Sequence, residues 1–414
     1  MINIIDKKQC CGCSACVQRC PKHCISLHED DEGFLYPVVG QDSCINCGLC
    51  EKVCPMLCQQ EKIEPQRVLA AKNTCDEERM NSSSGGVFLL LAREVIKQGG
   101  VVFGAVYDEK WEVHHVCATA IEDVYPMMGS KYVQSRIENT YNEVEIFLKQ
   151  GTKVMFVGSP CQIAGLRTFL RYKEYDHLLA VDFICHGVPS PGVWRRYLAE
   201  TFCREDLNVQ CRRQAAAGKN SVLLSSLNAK SPIGDIKFRD KTEAGWKKYR
   251  FVVRKKSASK ADQNTVLSSD IHYMNVYMKG FLNNIYLRPS CYSCKCKNGV
   301  NHSDLTLADF WGINTINPSF DDDKGCSLVL INSERGNAIF ESLKLETWIS
   351  DLETAKQFNP GFGENIPDNP LRKRFYKLLN RGETVAKSIQ KCYKSSFMGR
   401  CKSKLKRILK LILK

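Results

Sequence analysis

Residues 153–170 read KVMFVGSPCQIAGLRTFL, and residues 178–198 read LLAVDFICHGVPSPGVWRRYL. In each, a short apolar run meets glycine, serine or proline and passes into a segment of helical spacing. Lys153–Val157 and Leu178–Ile184 are therefore expected as strands, with Gln162–Leu170 and Pro189–Phe202 as the helices that follow. Strand, turn, helix, strand, turn, helix is the pattern of a parallel βαβ sheet. Ligands of such sheets lie outside the carboxyl ends of the strands. Cys161 and Cys185 both fall just past a strand, which predicts that they share that one edge. Val101–Val106, Val113–Ala118 and Ser327–Ile331 read as further strands, and Ala338–Leu345 as a late helix.

Cysteine is the next signal. Eleven of the 23 cysteines lie in the first 58 residues. Cys10, Cys13, Cys16 and Cys20-Pro21 have C-x2-C-x2-C-x3-C-P spacing, and Cys44, Cys47, Cys50 and Cys54-Pro55 repeat it 34 residues later. Three thiolates in a tight loop reach three corners of one iron–sulfur cube, and the fourth, followed by proline, points to the partner cluster. Cys10, Cys13, Cys16 and Cys54 are accordingly assigned to one 4Fe-4S cluster, and Cys44, Cys47, Cys50 and Cys20 to the other. Gly12 and Gly48 sit where the backbone must wrap a cluster without Cβ crowding. Cys11, Cys24 and Cys58 fall outside the pattern. Two zinc knuckles are the alternative, although zinc sites pair two short C-x2-C arms rather than run four cysteines in series.

Charge and composition narrow the class. The 414 residues hold 59 Lys and Arg against 45 Asp and Glu, a net charge of +14, and 43% are apolar, enough for two or three domains with real cores. Ten of the cations lie between Lys387 and Lys414, a stretch without an acid, so the rest carries only +4. A near-neutral body with a basic tail is not the footprint of a nucleic-acid domain. No apolar run reaches the roughly eighteen residues of a membrane span. The start, MINIIDKKQC, has no basic segment followed by an apolar one, so no secretory signal is expected and the chain reads as cytoplasmic. A reducing compartment leaves thiols free for metal or redox work.

A third cysteine group, Cys291, Cys294 and Cys296 in CYSCKC, precedes SDLTLADFWG at 303–312. A C-x2-C pair supplies two ligands, and Cys161 and Cys185 stand ready to complete a third cluster at the sheet edge. Buried free thiols are the alternative here, and the favoured reading for Cys75, Cys117, Cys203, Cys211, Cys326, Cys392 and Cys401. His186 reads equally as a ligand, a proton donor or a merely hydrogen-bonded side chain. Ser82-Ser83-Ser84-Gly85-Gly86, ahead of the apolar-periodic Val87–Ile96, reads as a phosphate or pyrophosphate site at a helix start, with a plain serine cap as its equal. Neither G-x-G-x-x-G nor G-x-x-x-x-G-K-S occurs, which removes the main support for a Rossmann nicotinamide site or a P-loop.

Six motifs in order resemble the beta-subunit family of coenzyme F420 (deazaflavin) hydrogenases and dehydrogenases. They are SSSGGVF (82–88), GSKYVQS (129–135), GSPCQIAGLR (158–167), CHGVPSP (185–191), FRDK (238–241) with GW (245–246), and CYSCK with SDLTLADFWG (291–312). The resemblance implies FAD, iron–sulfur clusters and electron transfer between the flavin and a deazaflavin or another organic acceptor. Carried over, it implies FAD contacts from Ser82, Ser83, Ser84, Gly85, Gly86, Lys131, Tyr132 and Ser135, and cluster ligation by Cys161, Cys185, Cys291 and Cys294. His302 and Ala308 depart from it, standing where arginine and glycine are common. Some relatives reduce other substrates, including chlorophyll derivatives. Members with a leading two-cluster domain look similar to proteins of bacterial surface-polysaccharide gene clusters, which need no deazaflavin.

The expected fold is α/β with mixed α+β elements. A ferredoxin-like domain spans 1–58, a larger flavin-binding domain with a mostly parallel sheet 69–345, an irregular and helical extension 346–394, and a basic amphipathic tail 395–414. Residues 59–68 read as the first linker. Residues 212–270, polar and basic, read first as a surface excursion and second as an acceptor lid. In the tail, Leu405, Ile408, Leu409 and Ile412 form one apolar stripe among lysines, which predicts peripheral contact with the inner face of the cell membrane; a solvated or partner-binding helix is the alternative. The functional expectation is an iron–sulfur flavoprotein oxidoreductase with a redox protein or small molecule as partner. A non-enzymatic electron relay and a zinc scaffold are its rivals.

Overall fold

The computed structural model describes residues 1–202, 232–256 and 265–393. The tail helix expected over 395–414, and Cys203, Cys211 and Cys401, lie outside the described residues.

The strands in chain order are β1 (Ile25–Glu29), β2 (Leu35–Val39), β3 (Arg67–Asn73), β4 (Val101–Tyr107), β5 (Val113–Ala118), β6 (Val154–Val157), β7 (Leu178–Phe183), β8 (Ile233–Asp240), β9 (Arg250–Lys255), β10 (Val266–Ile271), β11 (Leu305–Asp309), β12 (Ser327–Ile331) and β13 (Leu345–Ser350). The N-terminal module carries the hairpin β1–β2 and two cysteine loops. Its 34-residue repeat is written into the backbone: the short helices Ala15–Gln18 and Leu49–Lys52 begin at equivalent points. Each loop turns on two left-handed residues, Gly12 and Ser14 in the first and Asn46 and Gly48 in the second. Only glycine adopts that conformation at no steric cost, with serine and asparagine the tolerable substitutes.

Eight strands form the main sheet in the order β13-β3-β12-β11-β7-β6-β4-β5. β4, β6, β7 and β11 run parallel at its centre, and antiparallel strands extend it on both sides. The helices Pro160–Phe169 and Pro191–Phe202 follow β6 and β7. Ser159 opens the first with a capping box closed by Gln162. The N-terminal module shares a core with one sheet face, where Ala15, Val53 and Met56 join Phe103, Tyr141, Phe156, Ile163 and Phe169. Each large apolar side chain buried there contributes about 1.5–3 kcal/mol. A Cβ on Gly165 would stand 2.7 Å from the Cys13 Cβ, so the bare backbone of that helix is what lets the first cysteine loop dock.

Three local expectations change. The late helix runs Glu334–Glu341, capped by Ser333, and Leu345 instead opens β13 on the edge of β3. Arg67 and Val68, read as linker, already pair with Ile331 and Leu330. In both cases sheet pairing overrides local periodicity. The 212–270 stretch is no surface excursion in its described part. β8, β9 and β10 make a second, antiparallel sheet whose Phe238 and Phe251 pack with Trp194, Tyr197 and Tyr277 in an aromatic core. The alternation Ile236, Phe238 and Phe251, Val253 puts these side chains on one buried face.

Candidate functional site

The first cysteine loop gathers Cys10, Cys13, Cys16 and Cys54: Cys16 faces Cys10 and Cys54, and Cys13 faces Cys54 and Cys16. Burial pushes the Cys16 thiol up to about 12, and the neighbouring sulfurs push in the same direction. Thiolates crowded into such a place need a cationic partner, which iron supplies. Cys20, Cys44, Cys47 and Cys50 line a second, smaller cleft together with Cys24. The Ile2 N–H donates to Cys50 Sγ at 3.3 Å. The two loops thus exchange their fourth cysteines, Cys54 going to the first group and Cys20 to the second. Among the described residues, no three His, Cys, Asp or Glu side chains close around a single metal ion. A four-iron cube needs wider spacing, because each thiolate binds a different iron.

A third group forms at the carboxyl ends of the parallel strands. Cys161 follows β6, Cys185 follows β7, and Cys291 and Cys294 come from the segment before β11. Cys185 faces Cys291, Cys161 and Cys294, and Cys291 faces Cys161 and Cys294. Burial pushes Cys291 up to about 12, while the Val188 N–H donates to its sulfur at 3.4 Å. Two cysteines that the spacing left unassigned also arrive here. Cys11 lies within hydrogen-bond reach of both Cys13 and Cys161, and Cys296 within reach of Cys294. Cys11 therefore joins the first group to the third. Its only sequence signal is the doublet Cys10-Cys11. Cys75, expected as a buried thiol, is exposed; Cys117 is half-buried, and Cys326 and Cys392 are buried.

Beside the third group opens a cavity of about 650 Å³. Ser82, Ser83, Ser84, Gly86, Lys131, Tyr132 and Ser135 line one side, and Cys185 and His186 the sheet edge. Gly85 stands behind the wall, its N–H donating to Ser327 Oγ at 2.9 Å. The serine and Gly129–Ser135 stretches meet where the Ser130 N–H donates to Ser83 Oγ at 2.7 Å. Ser82 and Ser84 turn their hydroxyl protons onto the carbonyls of Arg79 and Cys326, at 2.8 and 2.9 Å. Ser83 accepts, and keeps its own proton for the cavity. The Lys131 ammonium donates to the carbonyls of Met127, Met128 and Gly129; with no acidic partner among the described residues, burial lowers it to about 7. Burial also holds His115 neutral, lowered to about 4. Its Nε2 donates to the Val157 carbonyl at 2.9 Å, so Nδ1 accepts from Ser135 Oγ at 2.5 Å. His186 Nε2 donates to Asn284 Oδ1 at 2.6 Å rather than facing a sulfur.

The far wall comes from the second sheet. Arg239 forms a two-pronged ion pair with Asp309, whose Oδ1 also accepts from Trp246 Nε1 at 2.9 Å. Trp246 stacks on Trp311 with centroids 4.8 Å apart. The FRDK, GW and ADFW motifs, distant in sequence, are thereby stitched into one wall. Lys241 reinforces it, its Nζ donating to the Ser84 and Lys324 carbonyls at 3.1 and 2.6 Å. Tyr249 and His272 line the cavity beside them, which gives the 212–270 stretch a place in the site. Ala308 lines it too, whereas His302 binds the Glu61 carbonyl at 2.8 Å.

Residues 151–355 match the family described as the C terminus of the coenzyme F420 hydrogenase/dehydrogenase beta subunit, and residues 9–58 match the 4Fe-4S dicluster domain. No curated protein matches the chain. Among solved structures, a chain of the F420-reducing [NiFe] hydrogenase complex from Methanosarcina barkeri is similar at 16% identity and a TM-score of 0.44, over 81% of this chain and 92% of that one.

Proposed function

The chain carries the C-terminal domain of the coenzyme F420 hydrogenase/dehydrogenase beta subunit behind a 4Fe-4S dicluster domain with two clusters, and on that premise we propose a flavin-dependent oxidoreductase. Electrons pass between the two N-terminal clusters, a third 4Fe-4S cluster on Cys161, Cys185, Cys291 and Cys294, and FAD in the cavity, and from there to an organic acceptor. One observation carries this reading: Cys185 belongs to the third thiol group and lines the cavity, while Cys11 joins that group to the first cluster loop. The residues fit FAD. The Ser83 hydroxyl, the Lys131 ammonium and the start of the helix Val87–Lys97 suit its pyrophosphate, and the aromatic far wall suits a planar ring. Bound FAD would supply the exchange between one-electron and two-electron carriers. The protein's part is to seat the ring beside Cys185, to hold charge on Lys131 and to keep His115 as an acceptor for Ser135.

Cys47 is exposed and Ile45 is 58% exposed at the opposite end, where a redox partner protein would exchange electrons. The resemblance to surface-polysaccharide gene-cluster proteins makes an acceptor in that biosynthesis the first to test, and the basic tail would hold the protein at an anionic membrane face. Equal cosedimentation with anionic vesicles by the full chain and by one ending at Lys394 would remove the tail's role. The main test is anaerobic purification with iron, sulfide, zinc and flavin analysis. Iron, sulfide and flavin together are expected. Zinc without iron overturns the redox reading, and clusters without flavin make the protein an electron relay.

A further inference from the structure

We infer that Arg288 is a positioning residue whose buried charge raises the reduction potential of the cluster at Cys10, Cys13, Cys16 and Cys54; this rests on reading those four as cluster ligands. Arg288 is 1% exposed. Its guanidinium reaches from the large domain into the first cysteine loop, with Nη2 3.4 Å from Cys10 Sγ and Nε donating to the Cys10 carbonyl at 2.8 Å. It also donates to the Leu35 carbonyl and to Gln134 Oε1, each at 2.9 Å, and lies over the Tyr36 ring at 4.4 Å.

What it lacks is an acid. Among the described residues no carboxylate pairs with it: nearby Asp30 is taken by Lys7 at 2.6 Å and Glu32 by Arg372. A buried cation without a counter-ion is costly, so the negative charge that balances this one must come from sulfur. The loop is shaped to admit it, since a Cβ on Gly12 would stand 2.7 Å from both Arg288 Nη1 and Gln134 Nε2. The Arg288 carbonyl meanwhile accepts from the Cys291 N–H at 2.9 Å, which ties the same residue to the third thiol group. One-electron reduction of a cluster adds one negative charge, and a fixed cation beside a ligand sulfur favours that reduced form.

The experiment is a redox titration followed by EPR on the full-length, anaerobically purified protein and its Arg288→Lys and Arg288→Gln variants. Arg288→Gln is expected to keep its iron and to move one N-terminal cluster signal to a more negative potential, with the other signals in place and Arg288→Lys shifted less. Unmoved potentials in an iron-complete Arg288→Gln protein, or equal shifts in both variants, overturn the inference. If Arg288→Gln does not hold its iron, pulsed EPR on the unsubstituted protein grown with 15N-arginine decides: an isotope-dependent nitrogen coupling at one reduced cluster supports the role, and none at any cluster overturns it. Cys13→Ser tests the underlying reading separately, because a variant that keeps every iron would remove the cluster, not merely its tuning.

Discussion

Replacing Cys185 with serine tests the junction between clusters and cavity. Six sulfurs converge there: Cys11, Cys161, Cys185, Cys291, Cys294 and Cys296. A cube takes four. Cys11 is tied to Cys13 of the first loop, and Cys296 is a fully buried neighbour of Cys294. The remaining four come from three separate segments and face one another, as ligands around one cube must. Three loaded sites amount to about twelve irons per chain, four in each cube. Cys185→Ser and Cys291→Ser should each lose about a third of iron and sulfide while the N-terminal EPR signals persist. Cys11→Ser and Cys296→Ser should keep the full complement. Iron and acid-labile sulfide assays on anaerobic protein read this directly, with EPR assigning the lost signal. A Cys185→Ser protein with all of its iron, or a Cys11→Ser protein that loses the same four, would refute the ligand set.

Ser83→Ala should weaken FAD binding by about tenfold, the value of one hydrogen bond to a charged group, whereas Ser82→Ala and Ser84→Ala, whose protons already serve carbonyls, should change it about threefold or less; flavin fluorescence titration of the three variants checks the order. Lys131, lowered to about 7 by burial, is charged below pH 7 and neutral above it in the ligand-free protein. FAD affinity should therefore fall as pH rises through 7, by up to about tenfold per unit, and Lys131→Met should flatten the slope. The same shift leaves the folded chain binding fewer protons than the unfolded one between about 7 and 10.5, so this group makes ligand-free stability rise with pH across that window. Asp309→Ala strands the Arg239 cation inside the far wall and should cost roughly 3–5 kcal/mol in urea unfolding; a loss under about 1 kcal/mol would mean that the pair does not hold the wall.

Local chemistry was legible in the sequence wherever spacing alone dictates geometry. The paired C-x2-C-x2-C-x3-C-P runs fix two cluster loops because three residues per step bring thiolates to one cube, and the 34-residue repeat reappears in the left-handed residues at equivalent positions. KVMFV before GSPC and LLAVDFI before CHG placed Cys161 and Cys185 after neighbouring parallel strands, because a βαβ unit returns each strand in the same direction. Other features had no local trace. Leu345–Ser350 became an edge strand because β3 offered unpaired backbone, and the 212–270 stretch became a wall because Phe238 and Phe251 found Trp194. Cys11 acquired a neighbour 150 residues away only when the helix Pro160–Phe169 docked on the first cysteine loop. Arg288 reads in sequence as an ordinary surface cation. What makes it a buried charge beside Cys10 is a contact 278 residues apart, which forms only when the two domains pack and water is excluded between them.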